Sequence, residues 1–578
     1  MKLLRPIHFH FCSFFFLAVL PLFTFAQNSQ KIVNHSFAIS FAKAADQKPI
    51  TGRVFLMISK DKSPEPRFEA GSYMRSIPFW GKDVDQLELD AQVVIDTSTL
   101  GYPLDNIRDL PEGDYYVQGV MNVYTQFHRA DGHTIWAHQD QWEGQRFNVS
   151  PGNLISSVQK IHYDPSVEQS FSIKLDSMLP AIHLPADTKQ VKHIKIKSSI
   201  LSAFWGHDMY LGATILLPDG YDTHTSVHYP VVYEQGHFSL GAPEGFTTEK
   251  REIPPAFKAI MESYNLEGGY EFQKEYNSDH FPRMIIVTFQ HPTPFYDDSY
   301  AVNSANVGPY GDAIMKELIP YIENKYRIIQ KPYARVLTGG STGGWESMAL
   351  QIYHPDFFGG TWSLYPDPLD FRHFQLVDLT KDTNAFYTNA FTMPFNANSI
   401  WQSSLRYSMC DNEGQPVRTE KDMSQLEAVL GSLGRSGEQL NVFDAVFGPI
   451  GNDGYPEQFW DKLTGKIDSN AVNYARDHGY DLRYYLANHW SELGPKLIDK
   501  LHVYVGDADN FYLNLAVYQF QDFLKHTTDP HYEGTFEYGR PMKGHGWQPV
   551  KTSELLRMMA KHITEHAPKG TDNNMWKY

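Results

Sequence analysis

The stretch V-L-T-G-G-S-T-G-G-W-E-S-M-A-L, Val336 to Leu350, decides how the rest of the chain is read. A β-prone run leads into four glycines around Ser341, and a helical pattern leaves them. A phosphate loop of the form G-x-x-x-x-G-K-[ST] would need a lysine after the glycines. A dinucleotide fingerprint would need G-x-G-x-x-G, and neither spacing occurs at this place. Gly339-Gly340-Ser341-Thr342-Gly343 does fit G-x-S-x-G at a strand-to-helix junction. In that sharp turn the serine is held in a strained conformation, and its neighbours must be small because Cβ atoms would collide with adjacent strands. Ser341 is thus a candidate nucleophile if the chain also supplies an acid, a base and two oxyanion donors.

This kind of turn imposes the chain order nucleophile, acid, histidine. L-H-V-Y-V, Leu501 to Val505, reads as a late strand followed by Gly506, Asp507, Ala508 and Asp509. A calcium loop is excluded there, since Phe511 takes the next ligand position and the required glycine is missing. Asp509 is favoured as the acid and Asp507 is held in reserve. Asp367, after the strand-like T-W-S-L of Thr361 to Leu364, is a third carboxylate, but its flanking prolines read as a turn. Among 25 histidines, His545 lies between glycines in K-G-H-G-W-Q-P, downstream of the acid and before a helical run from Thr552. A loop histidine there can reach the serine as a general base. His502 in a strand and His562 in a helix would be directed by packing instead.

For the oxyanion, the amide of Thr342 points where negative charge would form, and the loop after Y-P-V-V-Y-E offers Gly236-His237-Phe238. The His237 amide is the expected second donor. No H-E-x-x-H, no C-x-x-C and no clustered partner of His237 signals a metal, so neither metal nor cofactor is expected.

Around these motifs the grammar is strand, loop, helix. Apolar strand candidates are Met209 to Pro218, Tyr229 to Glu234, Met284 to Phe289, Ala334 to Thr338 and Leu501 to Val505, with helical runs such as Gly311 to Tyr326 between them. That alternation predicts an α/β fold with a doubly wound, mostly parallel sheet. A long insertion, about 384–496, is rich in helical runs and carries Trp401, Trp460 and Trp490. It is expected to cap the site, with a satellite layer packing its own tryptophans as the alternative.

Upstream, 27–176 holds short alternating runs at Phe37 to Phe41, Gly52 to Ile58, Leu87 to Ile95, Tyr115 to Tyr124 and Phe171 to Leu175, which predict a β-sandwich-like domain. Exposed aromatics on it, such as Trp80, Trp136 and Trp142, would suit carbohydrate; a structural spacer is the plainer expectation. A Pro-containing stretch, 177–190, reads as a linker to the catalytic domain, 191–578.

Residues 1–26 place Lys2 and Arg5 before an apolar run ending in Thr24-Phe25-Ala26, the pattern of a cleaved export signal. Its loss makes the formal charge of −17 two units more negative and leaves Cys410 as the single cysteine. The mature protein is expected to be periplasmic or secreted, without a membrane span or an intramolecular disulfide, and held together by its core. So acidic a chain is unsuited to a nucleic-acid partner.

The segment from about Val191 to His566 resembles the esterase-D-like group of α/β-hydrolases, which includes feruloyl and acetylxylan esterases, S-formylglutathione hydrolases and enterochelin esterases. The residues that carry the likeness are Y-P-V-V-Y-E-Q-G-H, the run from Gly308 to Arg327, G-G-S-T-G-G-W and G-H-G-W. The resemblance implies an α/β-hydrolase fold, Ser341 as nucleophile, His545 as base, an Asp after the penultimate strand, and a small-molecule or carbohydrate-linked ester as substrate. Two rival expectations are a peptidase of the prolyl-oligopeptidase kind, which shares the triad, and a non-catalytic binding protein on a hydrolase fold.

Overall fold

A computed structural model describes residues 34–41, 49–388, 404–573 and 576–578. The expected export signal, 1–26, and Trp401 lie outside these residues. Among the described residues, no helix is long and apolar enough to cross a membrane.

The region from Val191 onward is built on one eight-stranded sheet. Numbered along the chain, its strands are β1 (Val191–Ser198), β2 (Met209–Leu216), β3 (Val231–Gln235), β4 (Ile285–Gln290), β5 (Arg335–Gly340), β6 (Gly360–Leu364), β7 (Leu501–Gly506) and β8 (Thr535–Gly539). They lie side by side in the order β1-β2-β4-β3-β5-β6-β7-β8. The β1-β2 and β2-β4 pairs are antiparallel and the rest are parallel. Strands β3 to β7 are buried almost throughout. That is why they read as continuous apolar runs, as parallel strands covered on both faces must.

β1 and β8 carry no comparable run. V-K-H-I-K-I-K-S and T-F-E-Y-G alternate polar and apolar residues because they are the two edges, and lysines on an edge strand discourage further pairing. The expected helix at Gly311 to Tyr326 forms, with a π-helical turn at Ile314–Leu318 between α-helical pieces.

The N-terminal region is a sandwich of a three-stranded and a seven-stranded sheet. The strand Ile50–Ser59 shows how it is joined to the rest. Its Val54, Leu56 and Ile58 point into the sandwich core with Phe37, Ile39 and Ile173, while Phe55 and Met57 point the other way. That outer face meets Leu426, Val429 and Leu430 of a helix, Glu420–Leu430, supplied by the long insertion. Arg53 adds hydrogen bonds from Nε to the Val429 carbonyl at 3.0 Å and from Nη2 to the Ala428 carbonyl at 3.1 Å, satisfying the last turn of that helix.

The expected single strand Leu87 to Ile95 is two strands, Phe79–Leu87 and Val93–Asp96. The Ala91 amide closes a turn onto the Glu88 carbonyl and Asp90 takes a φ of +58°, so the chain leaves one sheet for the other. The supposedly exposed tryptophans are not a binding face. Trp80 and Trp142 are buried and Trp136 is half-buried, Trp80 within the sandwich core and Trp142 edge-on against Phe238. Trp460 and Trp490 of the insertion are likewise core residues.

Candidate active site

Ser341 sits where β5 ends, beyond the carboxyl ends of the parallel strands, between β3 and β6. Its φ of 58° and ψ of −120° lie in a region L-residues avoid, a strain worth about 1–3 kcal/mol. The turn is possible because glycines stand at the close approaches around it. A methyl at Gly343 would collide with the Gln235 carbonyl, and one at Gly344 with the Leu364 carbonyl. The helix that follows, Thr342–Tyr353, is apolar around most of its circumference because it is buried on all sides. Thr342 is its first residue, so its amide has no carbonyl one turn earlier to bind.

His545 reaches Ser341 from a loop of its own. Its Nε2 lies 3.1 Å from Ser341 Oγ, and its Nδ1 lies 2.8 Å from Asp509 Oδ2. The ring is flanked edge-on by Tyr365 and Phe511. Burial alone would lower its pKa, but the adjacent Asp509 carboxylate and the hydrogen bond to it raise the pKa above the ordinary histidine value. Asp509 is buried, and its Oδ1 accepts the Phe511 amide at 2.9 Å. Asp507 faces elsewhere, 3.4 Å from Arg540 Nε. His502 stacks on Trp362, and His562 is bonded to the Gly359 carbonyl, both directed by packing.

Asp367 is more than a turn residue. It is buried, and its Oδ2 accepts hydrogen bonds from the Tyr300 hydroxyl at 2.7 Å, Thr342 Oγ1 at 3.1 Å and Gln439 Nε2 at 3.0 Å. Its Oδ1 is 3.5 Å from Ser341 Oγ. Burial raises its pKa, opposed by the Tyr300 hydrogen bond.

These groups open onto a cavity of about 630 Å³. Ser341, His237 and His545 line it together with Phe68, Tyr73 and Phe147 of the N-terminal sandwich and with Met423, Gln439 and Phe443 of the insertion. The sandwich therefore does more than space the molecule, and the insertion is both cap and packed layer. Tyr73 ties the two together. Its hydroxyl donates to Glu427 Oε1 at 2.8 Å and accepts the Gln439 amide at 2.9 Å. Asn510 joins the His545 loop to the insertion, accepting the His545 amide at Oδ1 (2.8 Å) and donating from Nδ2 to the Cys410 carbonyl (2.9 Å).

His237 presents a half-exposed imidazole to this cavity. Burial works against its charge, but Asp297, at 3.2 Å, and Asp298 outweigh it and raise the pKa to about 10. Tyr73, Gln439 and Asn510 belong to no motif, and a lone tyrosine, glutamine or asparagine in sequence gives no signal that would have singled them out.

Residues 206–501 match the family described as "Putative esterase". The match contains His237 and Ser341 and ends before Asp509 and His545. No curated protein matches the chain. Among solved structures, a ferulic acid esterase is similar at 16% identity, over 65% of this chain and 98% of that one, with a TM-score of 0.31. FphF, a fluorophosphonate-binding serine hydrolase of Staphylococcus aureus, is similar at 14% identity, over 64% and 98%, with a TM-score of 0.29. An S-formylglutathione hydrolase from Agrobacterium tumefaciens is similar at 10% identity, over 65% and 94%, with a TM-score of 0.30. Since the family match spans just over half of its 578 residues, the chain belongs to this esterase family and is a carboxylic ester hydrolase.

Proposed function

We propose that the protein is an exported serine esterase in which Ser341, His545 and Asp509 carry out two-step acyl transfer. The observation that carries this reading is the bridging position of His545, 3.1 Å from Ser341 Oγ and 2.8 Å from Asp509 Oδ2. His545 Nε2 takes the hydroxyl proton as Ser341 Oγ attacks the ester carbonyl, and Asp509 stabilises the imidazolium that results. The amides of Thr342 and His237 hold the oxyanion. The same histidine returns its proton to the leaving alcohol, then activates the water that releases the acid.

The aromatic lining and a volume of about 630 Å³ suit a small-molecule or carbohydrate-linked ester rather than a long acyl chain or a polymer strand. Residues 1–26 serve as the export signal, placing the enzyme in the periplasm or outside the cell. In the test, Ser341→Ala abolishes hydrolysis of short aryl esters and labelling by a fluorophosphonate while the protein stays folded. Undiminished turnover in that variant would overturn the assignment, and turnover of chromogenic amides in preference to esters would favour a peptidase.

A further inference from the structure

The cavity wall beside Ser341 holds an imidazole and two carboxylates that acyl transfer does not use. His237 follows β3, and Asp297 and Asp298 follow β4. His237 Nδ1 lies 3.2 Å from Asp297 Oδ1, 3.5 Å from Asp298 Oδ2 and 3.4 Å from the Tyr296 hydroxyl. Three oxygens thus surround one nitrogen, and none is at the about 2.7–2.9 Å of a charge-assisted hydrogen bond. Two donors on one metal, each about 2.0–2.2 Å from it, stand about 2.8–3.6 Å apart at octahedral to tetrahedral angles. The Asp297 and Asp298 spacings both fall within that range.

A second observation points to the same place. Asp298 is 1% exposed; its Oδ1 accepts the Tyr300 amide at 3.0 Å, but its Oδ2, the oxygen facing His237, has no hydrogen-bond partner. A buried carboxylate oxygen left in that state is costly unless it takes up a proton or meets a cation. Deeper in, both carboxylate oxygens of Glu346 are also buried, close to Asp298. Among the described residues, the ion pairs of Asp297, Asp298 and Glu346 are with histidines alone. His291, behind Asp298, is not a further ligand. Its Nδ1 accepts the Ser299 amide at 3.0 Å, so in the neutral ring Nε2 keeps the proton and faces Glu346 as a donor.

We propose that His237 Nδ1, Asp297 and Asp298 bind a divalent transition metal, Zn²⁺ or Mn²⁺, in the wall of the catalytic cavity, with its remaining coordination positions open to that cavity. One imidazole with two carboxylates is a donor set these ions accept. The metal displaces the proton from Nδ1, and the carboxylates that would hold a charged ring hold the cation instead. An open position would take a carbonyl, hydroxyl or carboxylate oxygen of the substrate. The inference rests on the spacings and the orphaned oxygen, and is independent of the assignment of the triad.

The test is isothermal titration of the chelator-treated full-length protein with ZnCl₂ and with MnCl₂, paired with thermal melting. One equivalent is expected to bind and raise Tm, and His237→Ala, at a half-exposed position where folding is safe, should weaken binding at least about tenfold. Asp298→Asn should do the same. Absence of saturable binding, or equal binding in His237→Ala, would overturn the proposal. So would side-chain NMR showing His237 doubly protonated from pH 6 to 9 whether or not metal is added. Because the readout is binding, a metal-loaded protein without esterase activity would count against the triad assignment alone.

Discussion

Asp509 Oδ2 and His545 Nδ1 are 2.8 Å apart, while Asp507, two residues earlier on the same loop, is turned toward Arg540 at 3.4 Å. The two acids are therefore separable by mutation. Asp509→Asn should lower kcat on p-nitrophenyl acetate by about 10⁴, because the amide fixes the wrong tautomer of His545. Asp507→Asn should change it by no more than about twofold, because its half-buried carboxylate is turned toward Arg540. The reverse ranking would return the role to Asp507.

The pH dependence follows from the same pair. In the proposed mechanism His545 acts as a base only when neutral, and its pKa is raised above the ordinary value of about 6.5 by Asp509, against the lowering effect of burial. kcat/KM should therefore fall as pH drops through that raised value, with a midpoint above about 6.5, and Asp509→Ala should move the midpoint down. For stability the sign is opposite. The contribution of the protonated ring is full below about 6.5 and is lost as pH rises through the folded-state pKa. A pH–rate profile with a midpoint below 6.5 in the native enzyme would contradict this electrostatic picture.

What the sequence made legible was whatever has a local signature. The G-x-S-x-G turn and the buried parallel strands each follow from steric or periodic rules acting over a few residues. β1 and β8 give no such signature because edge strands alternate and resemble loops, and Leu87 to Ile95 reads as one strand because a turn at Asp90 has no glycine to mark it. Asp367 reads as a turn between prolines because its three hydrogen-bond donors, Tyr300, Thr342 and Gln439, are brought to it only by tertiary folding. The His237 cluster is similar, since its carboxylates come from a loop 60 residues further along the chain.

The contribution of the N-terminal sandwich to the cavity predicts a substrate-size effect. Phe68 and Phe147 line the wall far along the chain from Ser341. Truncating either to alanine should leave kcat/KM for an acetyl ester within about twofold and lower it for aromatic acyl esters by about 10-fold, the value of roughly 1.4 kcal/mol of lost apolar contact. Equal losses on both esters would mean that these rings support the fold rather than touch substrate.

The seam between the sandwich and the insertion should set how well that wall is held. Leu426 is 1% exposed and packs with Val429 and Leu430 against Phe55, Met57 and Val120 of the seven-stranded sheet. The same helix carries Glu427, whose carboxylate accepts the Leu440 and Asn441 amides at 2.7 Å each and so fixes the start of the helix that bears Gln439. Leu426→Ala should cost about 2–5 kcal/mol, because the cavity lies between elements too rigid to close it fully. If the seam orders the cavity, the loss will fall on aromatic esters first and on acetyl ester turnover last, and hydrogen exchange will quicken in the helices Glu420–Leu430 and Gln439–Phe447 while β5 and β7 stay protected. Uniform loss of protection across the eight-stranded sheet would show instead that the two regions unfold as one unit, with the sandwich serving the core of the catalytic half as much as its cavity.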